Sequence, residues 1–473
     1  MVFGRRKRTV QGEGYDERYD ESHGGEDAAV EPYVVGELDD HDEALPNIPV
    51  PDEPGAWQAP DVLEQRLYEL VSRHAAVEWE DEEAEDDARG ALTLAYLEAL
   101  AGELVYVPFR REETSPDPRE RTFHVYDTSV GRIVAVYTRG LLPRPHPYLV
   151  FESYTLRDLA DDLPDDVDGI AVNTQTPCPM LMSADAEERQ VWRALHNEHW
   201  DEEGRAERLV TLRTGVPPVG PLLHGLALGA HMCFVNGEAW NNPHYHGLGL
   251  SIEHERLAKW WGVTDRDEWQ HTQRRLLDRE ITPWYWEFVL DARTALAERY
   301  TDGRLQAVDA TAWRGYVETA LRERAAQVPD QIGPDWEEFV AHVVGLVGKV
   351  LRYEGRFRAD GLLAADAAVR SVAAWDIGRA SMMARWGYGA RFATRAEMRE
   401  AVVEASEAAQ SAHTSWQDFS AGYALGRCLH FDDEEFGGWY QEMLAAHRAL
   451  STDPDSPWHT VPFHVPRAAV LGG

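Results

Sequence analysis

Apolar residues first recur at helical spacing just after position 61, where Leu63, Leu67, Leu70 and Val71, with His74 in the same register, predict a helix. The acidic run EWEDEEAEDD, Glu78 to Asp87, breaks that pattern and reads as a solvated loop, followed by a second short helix around Leu92 to Leu100. The period then switches to that of strands: LVYVPF (Leu104 to Phe109), TFHVYD, GRIVAVYT and YLVFES are rich in β-branched and aromatic residues and predict a small sheet. Thr155 and Asp158 stand at capping-box spacing before the short helix TLRDLADDL. DGIAVNT returns to strand, and Ala186 to His196 is again helical.

Beyond the charged, Pro-rich connector between Asp201 and Pro221, nearly every segment has a helical period with aromatic faces. Thr264 with Asp267, Thr394 with Glu397 and Ser415 with Asp418 repeat the capping-box spacing ahead of helical runs. In SWQDFSAGYALGR, Trp416, Phe419 and Tyr423 share one face, while Gly422 and Gly426, four apart, let another helix come close on a second side. In AAWDIGRASMMARWGYG, the stripe Val372, Trp375, Arg379, Met382 and Trp386 puts a guanidinium on an apolar face. An ionised group buried without a partner costs several kcal/mol, so Arg379 needs an answering charge. Asp376, one turn earlier, can supply it, as can Asp418 or Asp432 from elsewhere.

Composition adds organisation. The 473 residues, 44% hydrophobic, suffice for real cores. Val10 to Pro60 is rich in Asp, Glu, Gly and Pro, with few large apolar residues to offset ordering entropy. The expected layout is a disordered acidic leader (1–60), an α+β sheet domain (61–200), a linker (201–221) and a mainly α-helical domain (222–466). Against 83 Asp and Glu stand 46 Lys and Arg, a net charge of −37 that disfavours nucleic acid and anionic membranes as partners. The basic run Arg5-Arg6-Lys7-Arg8 is read as a solvated end. No apolar stretch approaches a membrane span, and no secretory signal is visible. Cys178, Cys233 and Cys428 are far apart and form no CxxC pair, which fits a reducing cytoplasm.

Two resemblances follow from motifs. From about Leu92 to Ala194, LVYVPF, GRIVAVYT, YLVFESYTLRDLADDLP and GIAVNTQTPCPMLM resemble the SseB N-terminal domain, which implies an α+β module and no defined chemistry. From about Pro221 to Val465 the chain resembles the bacterial domain-of-unknown-function family numbered 1266. That likeness is carried by LALGAH with Asn236-Gly237, LAKWWGV, AWDIGRA, SWQDFSAGYALGR and SPWHTVPFHV, and it implies a fold without an activity.

Complete catalytic constellations are missing from the sequence. His224, His231, His244, His246 and His254 cluster near Glu253 and Glu255, but HExxH is absent, so His244 and His246 are weak metal candidates and no cofactor is expected. VVGLVGKV departs from a phosphate loop at Val343 and Val350, GxSxG is absent, and Gly387 with Gly389 lacks a third glycine. Cys178 is read as packing rather than nucleophile. The candidate polar cluster is Trp375, Asp376, Arg379, Ser415, Trp416, Tyr423 and His459, serving either structure or an enzyme of unrecognised type. Of the 17 tryptophans, any left exposed near Trp284-Tyr285-Trp286 marks a partner groove. The expectation is a cytoplasmic bacterial protein that binds another protein, an adaptor rather than a catalyst, in a secretion, toxin-neutralising or stress-related setting.

Overall fold

Several helices in both halves of the chain begin where a capping side chain meets an apolar period, as at Asp81, Asp185, Asp265, Thr394 and Ser415. A computed structural model describes residues 57–466 except 79–80, 112–113, 115–120, 144–148, 202–205, 214–217, 244 and 328–332. The leader up to position 56, the basic run at positions 5–8 and His244 therefore lie outside the described residues. Helix α1 (Val62–Ala75) packs on α2 (Glu82–Ala101). The expected acidic loop is helical from Glu82: Asp81 accepts the Ala84 N–H at 2.9 Å, and Glu82, Glu83 and Glu85 occupy the first turn, where the helix dipole favours negative charge. The short helix expected at Leu92 is thus the second half of a longer one.

Strands β1 (Val105–Arg110), β2 (Val125–Thr128), β3 (Gly131–Thr138), β4 (Leu149–Tyr154), β5 (Gly169–Val172) and β6 (Met180–Ser183) form a mixed sheet of order β4-β1-β3-β5-β6, with β2 paired to β3. The β3–β5 pair is parallel, Val134 opposite Ile170, and the remaining pairs are antiparallel. The parallel pair needs a crossover, and α3 (Leu156–Asp162) lies within it; α4 (Ala186–His199) follows β6. Val105, Val107 and Phe109 point to one face, into a core with Leu67, Tyr96, Leu159 and Trp192. Tyr106 points to the other, joining Phe151, Val210, Leu212 and Tyr245. Burial on both faces explains why these strands read as continuous apolar runs rather than alternating ones.

That second face seats the helical half. The Tyr106 and Tyr245 hydroxyls lie 3.0 Å apart, the Ser153 hydroxyl donates to Leu248 O at 2.6 Å, and the Ser251 hydroxyl donates to Glu152 at 2.7 Å. Gly249 adopts φ +101°, and a Cβ there would lie 2.8 Å from the Phe151 carbonyl oxygen, so only glycine lets this loop lie against β4. The connector is not free of the body either: Val210 bridges to Ala239, and the Arg213 N–H donates to Pro60 O at 2.8 Å.

The helical half comprises α5 (Gly220–Ala227), α6 (Ala230–Asn236), α7 (Leu250–Trp261), α8 (Arg266–Leu277), α9 (Trp284–Tyr300), α10 (Ala310–Gln327), α11 (Trp336–Asp360), α12 (Ala373–Gly389), α13 (Arg395–Ala412), α14 (Trp416–Phe431) and α15 (Gly438–Thr452), with a last turn at Pro457–Thr460. Thr394 with Glu397 and Thr155 with Asp158 form complete capping boxes. At α8 the cap is Asp265, which accepts the Glu268 N–H at 2.9 Å, rather than Thr264 paired with Asp267. Ser415 caps α14 by accepting the Asp418 N–H at 3.1 Å, but Asp418 turns to the Thr414 N–H at 2.9 Å, so the reciprocal half of the box is absent. VVGLVGKV lies in the middle of α11, with no loop to cradle a phosphate.

Helix α12 is the hub. Every residue from Ala373 to Tyr388 is buried, with α5, α6, α7, α8, α13 and α14 around it. The single apolar stripe expected here gives way to burial on all sides.

Candidate functional site

The side chains singled out from sequence separate into two places. At the start of α12, Arg379 pairs with Asp376, its Nε–H donates to Trp375 O at 3.1 Å, and its guanidinium lies 4.3 Å from the Trp375 ring centroid. Asp376 also accepts the Thr282 N–H at 3.0 Å and the Thr282 hydroxyl at 2.8 Å. Burial lowers the Arg379 pKa, and Asp376 pulls it back up. Tyr423 meets Trp375 edge-on at 5.0 Å, and its hydroxyl is buried with no partner among the described residues. Burial pushes that phenol up to about 12. Gly422 and Gly426 make this approach possible: a Cβ on either would lie 2.3 Å from Ser371 O or 2.5 Å from the Trp375 Cβ.

Ser415, Trp416 and His459 do not join that group. Trp416 donates its indole N–H to Val461 O at 2.8 Å and stands 5.0 Å from the Phe463 ring, while His459 is exposed with Nε2 2.9 Å from Ser451 O. Asp418 and Asp432 do not answer Arg379. Asp418 serves Thr414, and Asp432 accepts the Tyr353 hydroxyl at 2.9 Å and the Phe436 and Gly437 N–H groups at 3.0 Å.

Histidines of the 223–255 region serve separate elements. His246 sets Nε2 3.0 Å from Pro143 O and His254 2.8 Å from Ala390 O, while His224 Nδ1 lies 2.9 Å from the Ser406 hydroxyl. His231 Nε2 and His447 Nδ1 flank the Ser420 hydroxyl at 2.8 and 2.9 Å. Burial pushes His224 and His447 down to about 4 and His231 to about 3, so all three are neutral at pH 7. Among the described residues no three His, Cys, Asp or Glu side chains are grouped to hold a metal ion. Cys178 is buried and its thiol is pushed up to about 12 by burial, which suits packing and not nucleophilic attack.

A second buried charge cluster sits at the foot of α7. Arg256 pairs with Glu238 at 2.8 Å and Glu253 at 3.3 Å, and stacks 4.9 Å from the Trp386 ring. Burial raises Glu253 to about 7 against the pull of Arg256. Nearby, Arg385 donates to Ala239 O and, at 3.1 Å, to Cys233 Sγ.

Two features went unread in the sequence or were left conditional. The first is a cavity of about 270 Å³ between α9, α10 and α11, whose lining includes Arg293, Trp313, Glu354, Arg358 and exposed Gln306. Its signal was present, since Arg293 continues the apolar register Val289, Leu290, Leu296, Ala297, and Glu354 that of Val347, Val350, Phe357. The second is an aromatic ridge: Trp284 stands 6.2 Å from Phe339 and 5.8 Å from Phe288, Tyr285 is 5.6 Å from Phe339, and Trp336 is 5.6 Å from Phe339. Trp284 is 50% exposed although Trp286 is only 7% exposed, so the expected marker falls on the first tryptophan of the pair. Arg324 covers part of it at 5.3 Å.

Residues 256–463, somewhat less than half of the chain, match a family described as Protein of unknown function (DUF1266). The match includes AWDIGRA, SWQDFSAGYALGR and most of SPWHTVPFHV, and begins inside α7, leaving LALGAH outside it. No curated protein and no solved structure matches the chain. None of the described helices is long and apolar enough to cross a membrane.

Proposed function

We propose that this chain is a non-catalytic protein-binding module, and that the aromatic ridge of its helical half receives a basic amphipathic helix of a partner protein. The observation that carries this reading is Trp284, half exposed at the head of a contiguous aromatic group. Tryptophans so placed are typical anchors of protein interfaces. Exposed Asp335 and Glu338 flank Trp336 on α11, and a chain of net charge −37 favours a cationic partner. The closed state of the Arg379 cluster supports the same reading, because Ser415 and His459 lie outside it and the guanidinium is spent on Asp376. The SseB-like motifs of residues 92–194, a bacterial origin and a cytoplasmic setting belong to this proposal, as does a role in secretion, toxin neutralisation or stress.

Co-purification from the native host with the full chain and two variants tests it. Trp284→Glu should abolish retention of a discrete basic partner, a loss on the order of 2 kcal/mol or thirtyfold in affinity. Trp260→Glu, at another strongly exposed tryptophan (57%), should leave retention intact. A partner indifferent to Trp284→Glu, or no discrete partner at all, refutes the proposal.

A further inference from the structure

The cavity between α9, α10 and α11 concentrates cationic donors in a chain that is otherwise strongly acidic. Glu354 is saturated: Oε1 accepts the Val369 N–H at 2.8 Å and faces Arg293 Nη1 at 2.8 Å, while Oε2 accepts Arg358 Nη2 at 3.2 Å. It holds two guanidinium groups in place and has little capacity left for a ligand. Arg293 donates Nη2 to Val369 O and lies 4.5 Å from the Trp313 ring centroid, yet its buried Nε–H has no partner among the described residues. Arg358 donates Nε and Nη2 to Ala367 O at 3.1 and 2.8 Å, leaving Nη1 of this partly exposed side chain without a partner among the described residues. Two arginines against one glutamate give the lining a net charge of +1, and exposed Gln306 adds an amide at the rim. The unspent hydrogen-bonding capacity of the two guanidiniums is donor capacity, which an anionic oxygen satisfies best. Leu305, Val308 and Leu351 supply an apolar wall.

From this geometry we infer that the cavity is a binding site for a small organic anion, a carboxylate or phosphate head group with a short aliphatic body. A volume of about 270 Å³, just below the roughly 300–1,000 Å³ common for small-molecule sites, suits a small ligand. A buried Nε–H left without a partner is costly in the empty protein, and an anion that accepts from it would remove that cost on binding.

Calorimetric titration of the full chain at low ionic strength, with propionate, succinate and inorganic phosphate as separate probes, tests the inference. At least one probe should bind saturably with a Kd at or below about 1 mM. Binding by the carboxylates alone assigns a carboxylate head, and binding by phosphate alone assigns a phosphate. Arg358→Gln should weaken that binding at least about tenfold. Ala365→Trp, which fills the cavity from its exposed rim without touching a buried charge, should abolish it. Arg322→Gln, at an exposed arginine paired with Glu337, should change nothing. If no probe binds, or if binding survives both Arg358→Gln and Ala365→Trp, the cavity is not an anion site.

Discussion

Removing the charge of Arg379 while keeping its bulk isolates what holds the hub helix in place. In Arg379→Met the apolar contact with Trp375 persists, but Asp376 is left as a carboxylate with no cation, answered only by the Thr282 N–H and hydroxyl at 3.0 and 2.8 Å. Breaking a buried pair in this way costs about 3–5 kcal/mol, because the survivor keeps its desolvation penalty. The compact unit that holds the pair spans Ile48–Gly473, whose unfolding entropy of about 0.9 kcal/mol/K makes such a loss worth roughly 3–6 °C in Tm. The double variant Arg379→Met with Asp376→Asn removes both charges, and an amide oxygen can still accept from Thr282. Its loss should be smaller than that of Arg379→Met alone, by ~2 kcal/mol or more. Arg379→Lys should fall between, since an ammonium keeps the charge but loses the Nε bond to Trp375 O and the flat stacking on the indole. Thermal and urea unfolding followed by tryptophan fluorescence read all three. A double variant as unstable as the single, or an Arg379→Met protein within about 1 kcal/mol of wild type, refutes the view that this pair is a structural tie.

Stability should fall as pH drops below about 6.5, because His224, His231 and His447 refuse protons that the unfolded chain accepts, each worth ~3 kcal/mol once pH nears 4. Urea midpoints measured from pH 7.5 down to 4.5 check this, and a flat profile counters it. Glu253 acts in the opposite sense: raised to about 7, it keeps a proton in the folded state that the unfolded chain has lost from about pH 4.5 upward, so it withdraws stability as pH rises through that window. Glu253→Gln should therefore steepen the gain in stability between pH 5 and 7.5, and an unchanged slope would show that Glu253 is ionised throughout. Gly422→Ala should cost about 1–3 kcal/mol in thermal melts, since its Cβ would sit 2.3 Å from Ser371 O, whereas Gly345→Ala, in open space on a helix, should be neutral or stabilising. Thr394→Ala should cost about 1 kcal/mol through loss of a complete capping box.

What could be read from the chain alone was local. Strand and helix periods, the boxes at Thr155 and Thr394, and the small residues at Gly422 and Gly426 each depend on neighbours within one or two turns, and each appears where those neighbours dictate. The acidic run before Leu92 misled because charge density suggested solvation, while the dipole at a helix start welcomes the same charges. Which partner answers Arg379 was only half legible: Asp376 was a candidate by spacing, but Thr282, 94 residues away along the chain and completing the cluster, has no local signature. Ser415 and His459 carry no local cue to the group they join, and the tertiary fold sends them away from Arg379 because Trp416, at the start of α14, is drawn to Val461 and Phe463. The cavity beside Arg293 is the clearest case. Arg293 on α9 and Glu354 on α11 stand in apolar registers, a signal that was open to reading and went unread, yet a void exists only where packed helices fail to meet, and that depends on distances between segments far apart in sequence.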